Sequence, residues 1–160
     1  MYNTEILIGG EIMKKVLFIS VIILYVFSWS SIFAKDYKDA EPVIKEMAVS
    51  LETFINGLEK ADTASKIAAV INSYAADMTR IAPVFKKLMK KYPELNDEDT
   101  HPEALKPYIQ KMENMTQKLI KLYSKITEHM NDTAVSEAFE KLNKASAMMD
   151  PKEEKEGEEE

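Results

Sequence analysis

The sequence predicts an all-α chain, folded as an antiparallel up-down-up-down four-helix bundle with helices 2 and 3 longer than helices 1 and 4. Three observations carry this expectation. Between Ile67 and Tyr92 apolar residues recur at Ile67, Tyr74, Ile81 and Leu88, and again at Ile71, Met78, Phe85 and Tyr92. These are two rows of seven-residue period, the seam of a helix packed nearly parallel to its neighbours. A second stretch repeats the pattern, with Leu105, Met112, Leu119 and Ile126 on one row and Tyr108, Met115, Leu122 and His129 on the other. Along the same region no stretch has the apolar/polar alternation of a strand.

Helix 1 is expected at about 40–60, where Pro42 suits a first turn and Ile44, Met47, Leu51, Phe54, Ile55 and Leu58 line one face. Asp62 and Thr63 offer a cap for helix 2. Its interior carries Pro83, which removes a backbone hydrogen bond and should kink it, and Pro93 helps to end it. Glu94 to Thr100 is polar and acidic, a loop. Helix 3 starts between Pro102 and Pro107 and runs to about Met130. Asn131, Asp132 and Thr133 can cap helix 4, where Val135, Leu142 and Met149 join Ala138, Phe139 and Ala145 before Pro151 stops it. The bundle therefore takes up residues 35–150.

Ahead of it, Lys14 and Lys15 precede an apolar run from Val16 to Phe27 and a segment ending in Ala34. That order is a signal peptide over 13–34, cut after Ala34, which sends the protein to the periplasm or the medium with no membrane attachment afterwards. The alternative is an uncleaved anchor, since the 19 residues from Val16 to Ala34 are enough to span a bilayer. Residues 1–12 fit neither, because Glu5 and Glu11 cancel the two lysines. The codons for Gly9-Gly10-Glu11-Ile12 can contain a purine-rich ribosome-binding sequence, so translation is expected to start at Met13.

Cysteine is absent, which excludes disulfides, thiolate metal sites and covalent haem. Arg80 is the only arginine and the net charge is -6, a poor endowment for nucleic acid. Most of that charge is local. From Asp150 to Glu160 there are seven acidic and two basic side chains, while 35–149 carries 18 acidic and 17 basic groups. Residues 151–160 read as a disordered acidic tail.

Counting residues from the end that all four helices share, helix 1 starts level with Pro83 and helix 4 stops level with about residue 114. Residues 84–112 should then project as a two-helix tip carrying Phe85, Leu88, Met89, Tyr92, Leu105, Tyr108, Ile109 and Met112. An exposed apolar tip is expected to contact a protein partner or a second copy, unless the prolines fold it back or residues 35–41 cover it. The same count puts Met47, Met78, Met115 and Met149 in one layer. Four thioethers could hold Cu(I) or give axial ligands to haem, although methionine also fills gaps in helical cores, and no bound cofactor is the first expectation.

The junction Leu58-Glu59-Lys60-Ala61-Asp62-Thr63-Ala64-Ser65 and the Ala-rich helix that follows resemble the soluble periplasmic b-type cytochromes, with helix order and length similar over 40–149. The resemblance implies a four-helix bundle, non-covalent haem b and electron transfer, with axial ligands from a Met early in helix 1 and a His late in helix 4. The Met position falls on or beside Ala48, next to Met47; helix 4 has no histidine, which leaves Met47 with Met149 as the axial pair.

Other candidates fall away. A calcium loop starting at Asp97 would need Gly and Glu where Pro102 and Tyr108 stand, so Asp97, Glu98, Asp99, His101 and Glu103 make no such site. His129 suits a helix terminus. Two histidines and no cysteine supply no nucleophile with its base, so the expectation is a binding or interaction protein and not an enzyme.

Overall fold

The computed structural model describes residues 37–96 and 102–150. The expectations for the start site, the signal peptide, the acidic tail and Asp97 to His101 lie outside the described residues. Four α-helices and one short 3-10 helix follow in order: α1 (Ala40–Lys60), α2 (Ala64–Lys91), the 3-10 turn Pro93–Asn96, α3 (Lys106–Thr127) and α4 (Thr133–Ala147). There is no strand among the described residues, and none of their helices is long and apolar enough to cross a membrane.

Local chemistry fixes the boundaries. Thr63 accepts from the Lys66 amide at 3.3 Å and Asp132 from the Ala134 amide at 2.9 Å, the caps that α2 and α4 need for their unpaired N–H groups. At the start of α1 the cap is backbone, because the Ala40 and Glu41 amides donate to the Tyr37 carbonyl at 2.9 and 3.0 Å. Pro83 stands exposed inside an α2 that continues through it.

Helix directions follow from the contacts. α1 and α2 run antiparallel, with Asp39 reaching Lys91 and Tyr92, Glu46 reaching Arg80, Ser50 donating to Asp77 at 2.8 Å, and Phe54 stacked on Tyr74 at 4.4 Å. α1 and α3 lie side by side in the same direction: Tyr108 donates to Glu41 at 3.1 Å at one end, and Lys125 donates to the Leu58 and Glu59 carbonyls, both at 2.9 Å, at the other. Lysine there satisfies carbonyls that the end of α1 leaves unpaired.

Helix neighbours differ from the chain-order arrangement the sequence predicts. α2 makes its most intimate contact with α4, α1 sits against both α2 and α3, and neither α2 with α3 nor α3 with α4 forms an extensive backbone approach. Side-chain size explains it. The flank of α2 away from α1 carries Ala68, Ala75 and Ala82 every seventh residue, and α4 buries Ala138 and Ala145 at the same spacing. Alanines let two backbones come close, whereas α3 buries larger side chains, among them Met115, Leu119 and Ile126. Lengths also differ in detail: α2 has 28 residues and α4 has 15, but α3 exceeds α1 only by 22 to 21.

The projecting tip is corrected by the structure. Phe85, Leu88, Met89, Tyr92, Leu105, Ile109 and Met112 are all buried in the chain's own core, and Tyr108 is half-buried against it. α3 starts beside the first turn of α1, so it has no overhang. Past the start of α1, the end of α2 is covered by Tyr37, whose ring meets that of Tyr92 at 5.0 Å, and by Leu95 of the 3-10 turn, which is 3% exposed. Cover by the residues just before α1 is the alternative the sequence left open. The chain closes its own seam.

Candidate functional site

Three groupings carry the chemistry of this molecule. The first is the strap over the tip. Tyr37 donates its phenol to Glu94 at 3.0 Å, Tyr92 donates to Asp39 at 2.6 Å, and Lys91 pairs with Asp39 while its ammonium lies 4.9 Å from the Tyr92 ring centre. Burial, and then the hydrogen bond to Glu94, push the Tyr37 phenol up to about 12. The hydrogen bonds from Lys91 and Tyr92 hold the Asp39 carboxyl below its usual range. None of these rim pairs is deeply buried, so each orients the strap more than it holds it.

The second grouping is the lysine-rich end of α2. Lys87, Lys90 and Lys91 are exposed and Lys86 is half-buried, with exposed Pro83 and Val84 beside them. On a helix these six residues spread over about half the circumference, since each step turns ~100°. Lys38, also exposed, stands at the same end of the molecule. At this end Asp39 is engaged with Lys91, and Glu94 accepts from Tyr37. A surface of this kind attracts anionic groups.

The methionines form the third. Met78, Met115 and Met149 are buried, and Met47 is half-buried against the same core. Because Glu46 pairs with Arg80 and Ser50 with Asp77, Met47 and Met78 lie within about a turn of each other in height. The α1–α3 pairs bring Met115 to the level of Met47 in the same way. Met47 stands on α1 and Met149 just after the end of α4, and α1 and α4 make no extensive contact.

Comparison with protein-family models, with curated proteins and with solved structures finds no match to this chain. Its chemistry must therefore be read from its own side chains. No group of three or more His, Cys, Asp or Glu among the described residues could hold a metal ion. Glu103 is exposed and pairs with Lys106, and His129 is half-buried in the turn after α3.

Arg80, the sequence's one arginine, is held at the surface against both Glu46 and Asp77, a bridge from α2 to α1. These partners raise its pKa further above that of a free guanidinium. Sequence reasoning did not single out Lys86-Lys87 and Lys90-Lys91, because a nearly balanced total charge concealed a local excess. The signal was their four-residue spacing on a helix.

Proposed function

We propose that this chain is an exported, non-enzymatic four-helix bundle with helices of alternating direction, acting as a binding module for an acidic protein segment. The observation that supports this reading is the cluster of Lys86, Lys87, Lys90 and Lys91 at the end of α2, a local run of positive charge on a body with 18 acidic and 17 basic groups in all. The contact surface is the outer side of the tip, since the apolar seam beneath it is taken up by the chain's own residues. Exposed Val84 gives such a partner an apolar foothold beside the charges. Polyglutamate is the probe. It should bind the purified protein with its six tail glutamates changed to Gln, weaken steeply with added salt, and lose binding in Lys86→Glu/Lys87→Glu. Equal binding by the charge-reversed protein refutes the assignment.

A second reading, supported by the buried thioethers of Met78, Met115 and Met149, is Cu(I) binding by the methionine layer, or haem b held through Met47 and Met149. Thioethers are soft donors and favour Cu(I) over harder ions. Stoichiometric Cu(I) uptake lost in Met78→Leu, or a Soret band lost in Met149→Leu, would support it; colourless protein that takes up no Cu(I) would refute it.

A further inference from the structure

Two tyrosines cross where the strap meets the end of α2. The rings of Tyr37 and Tyr92 stand 5.0 Å apart at an interplanar angle of 43°, near the short end of the ~4.5–7 Å range for aromatic pairs. Their edges are within van der Waals reach. The hydroxyls are bound reciprocally: Tyr37 donates at 3.0 Å to Glu94, two residues beyond Tyr92, and Tyr92 donates at 2.6 Å to Asp39, two residues beyond Tyr37. Each phenol thus has a carboxylate within the ~2.6–3.2 Å over which a proton is handed on. Among the described residues no other two tyrosines are in ring contact.

This arrangement favours one-electron chemistry. A phenol that loses an electron becomes strongly acidic, so the radical is reached more easily where a base already holds the hydrogen bond. Burial, and then Glu94, push the Tyr37 phenol up to about 12, so at neutral pH its electron and proton must leave together. The hydrogen bonds from Lys91 and Tyr92 hold the Asp39 carboxyl below its usual range, which keeps it ionised as the acceptor for Tyr92. Tyr37 is half-buried and Tyr92 is 4% exposed, so an oxidant in solution meets Tyr37 first and reaches Tyr92 through the ring contact.

We propose that Tyr37 and Tyr92 form an oxidative cross-linking site, which a one-electron oxidant converts into a dityrosine stapling the strap before α1 to the end of α2. Two oxidant equivalents take one electron from each ring, and Glu94 and Asp39 take the two phenolic protons. The radicals couple through a carbon–carbon bond between positions ortho to the oxygens. As the rings regain aromaticity, the two ortho hydrogens leave as protons and the oxygens are protonated again. The net loss is two electrons to the oxidant and two protons to water. The chain has no cysteine and so no disulfide to do this, and the exposed rim pairs that orient the strap are individually weak. A covalent link over so long a loop restricts the unfolded chain and thereby stabilises the folded one. Such a staple needs nothing from the lysine face.

Brief illumination of the dilute, purified full chain with a photosensitising ruthenium complex and persulfate, which together supply a one-electron oxidant, tests this. Expected is a monomeric product lighter by two hydrogens, with dityrosine fluorescence and with Tyr37 joined to Tyr92 in peptide mapping by mass spectrometry. Separated from unlinked protein, it should unfold at higher urea. Tyr37→Phe and Tyr92→Phe keep the ring packing and should each abolish the link. Glu94→Gln keeps a hydrogen-bond acceptor but not a base, and should lower the yield at least several-fold. The proposal is overturned by no cross-link, by links mainly between copies, or by links through Tyr74, Tyr108 or Tyr123 as frequent as Tyr37 to Tyr92. It is equally overturned by the same yield in unfolding urea, by an undiminished yield in Glu94→Gln, or by a linked protein whose urea midpoint has not moved.

Discussion

Gly57 measures how closely α1 and α2 approach. It lies within α1, half-buried, and a methyl group added there would stand 2.9 Å from Val70 Cγ1 and 3.0 Å from Cγ2 on α2. Two effects oppose each other in Gly57→Ala. Alanine in a helix interior is favoured over glycine by about 1 kcal/mol. Forcing a methyl into filled space costs ~1–3 kcal/mol, and valine cannot swing aside freely because its branched side chain is stiff about χ1. The expected net change is therefore between neutral and about 2 kcal/mol destabilising.

The sign reverses once the obstacle is removed. In a Val70→Ala background only the Cβ remains, at 3.6 Å, an ordinary contact, so Gly57→Ala should there stabilise by about 1 kcal/mol. The double-mutant cycle should give a coupling of ~1–3 kcal/mol, read by urea unfolding of all four proteins. A Gly57→Ala substitution that stabilises equally in both backgrounds refutes the close approach.

Leu105→Ala, at a side chain that is 0% exposed, should cost about 2–5 kcal/mol in chemical unfolding, marking the tip as core. Leu88→Ser with Tyr108→Ser should likewise lower stability, and sedimentation should find the oligomeric state unchanged. Asp132→Ala removes the acceptor for the Ala134 amide and should cost roughly 1 kcal/mol. Tyr37 titrates near 12 in the folded protein against 10.0 unperturbed, so its contribution is complete below pH 10 and is lost as pH rises through about 12. Tyr37→Phe should flatten that alkaline part of the stability profile.

The seven-residue rows made the helices legible, because a buried stripe repeats with the helical turn whatever it packs against. Thr63 and Asp132 were legible as caps for the same local reason. Neighbour order was not legible from the rows, since periodicity tells which face is buried and not what faces it. Residue size holds that information: Ala68, Ala75 and Ala82 against Ala138 and Ala145 pair α2 with α4. Leu95 was hidden inside a polar segment with no periodicity, and it is one of the residues that turn the projecting tip into core.

Closure of the tip also decides what the molecule can present there. Leu95, Leu105 and Tyr92 are buried, whereas the polar groups around them, Asp39, Glu94 and Tyr37, sit at the rim. Removing the cover would expose several large apolar side chains at ~1.5–3 kcal/mol each, more than rim charges gain by finding new partners. A partner at this end therefore meets lysine and the edge of Val84, with the seam still shut. Affinity at such a surface should fall with ionic strength, whereas a partner that opened the seam would bind almost independently of salt.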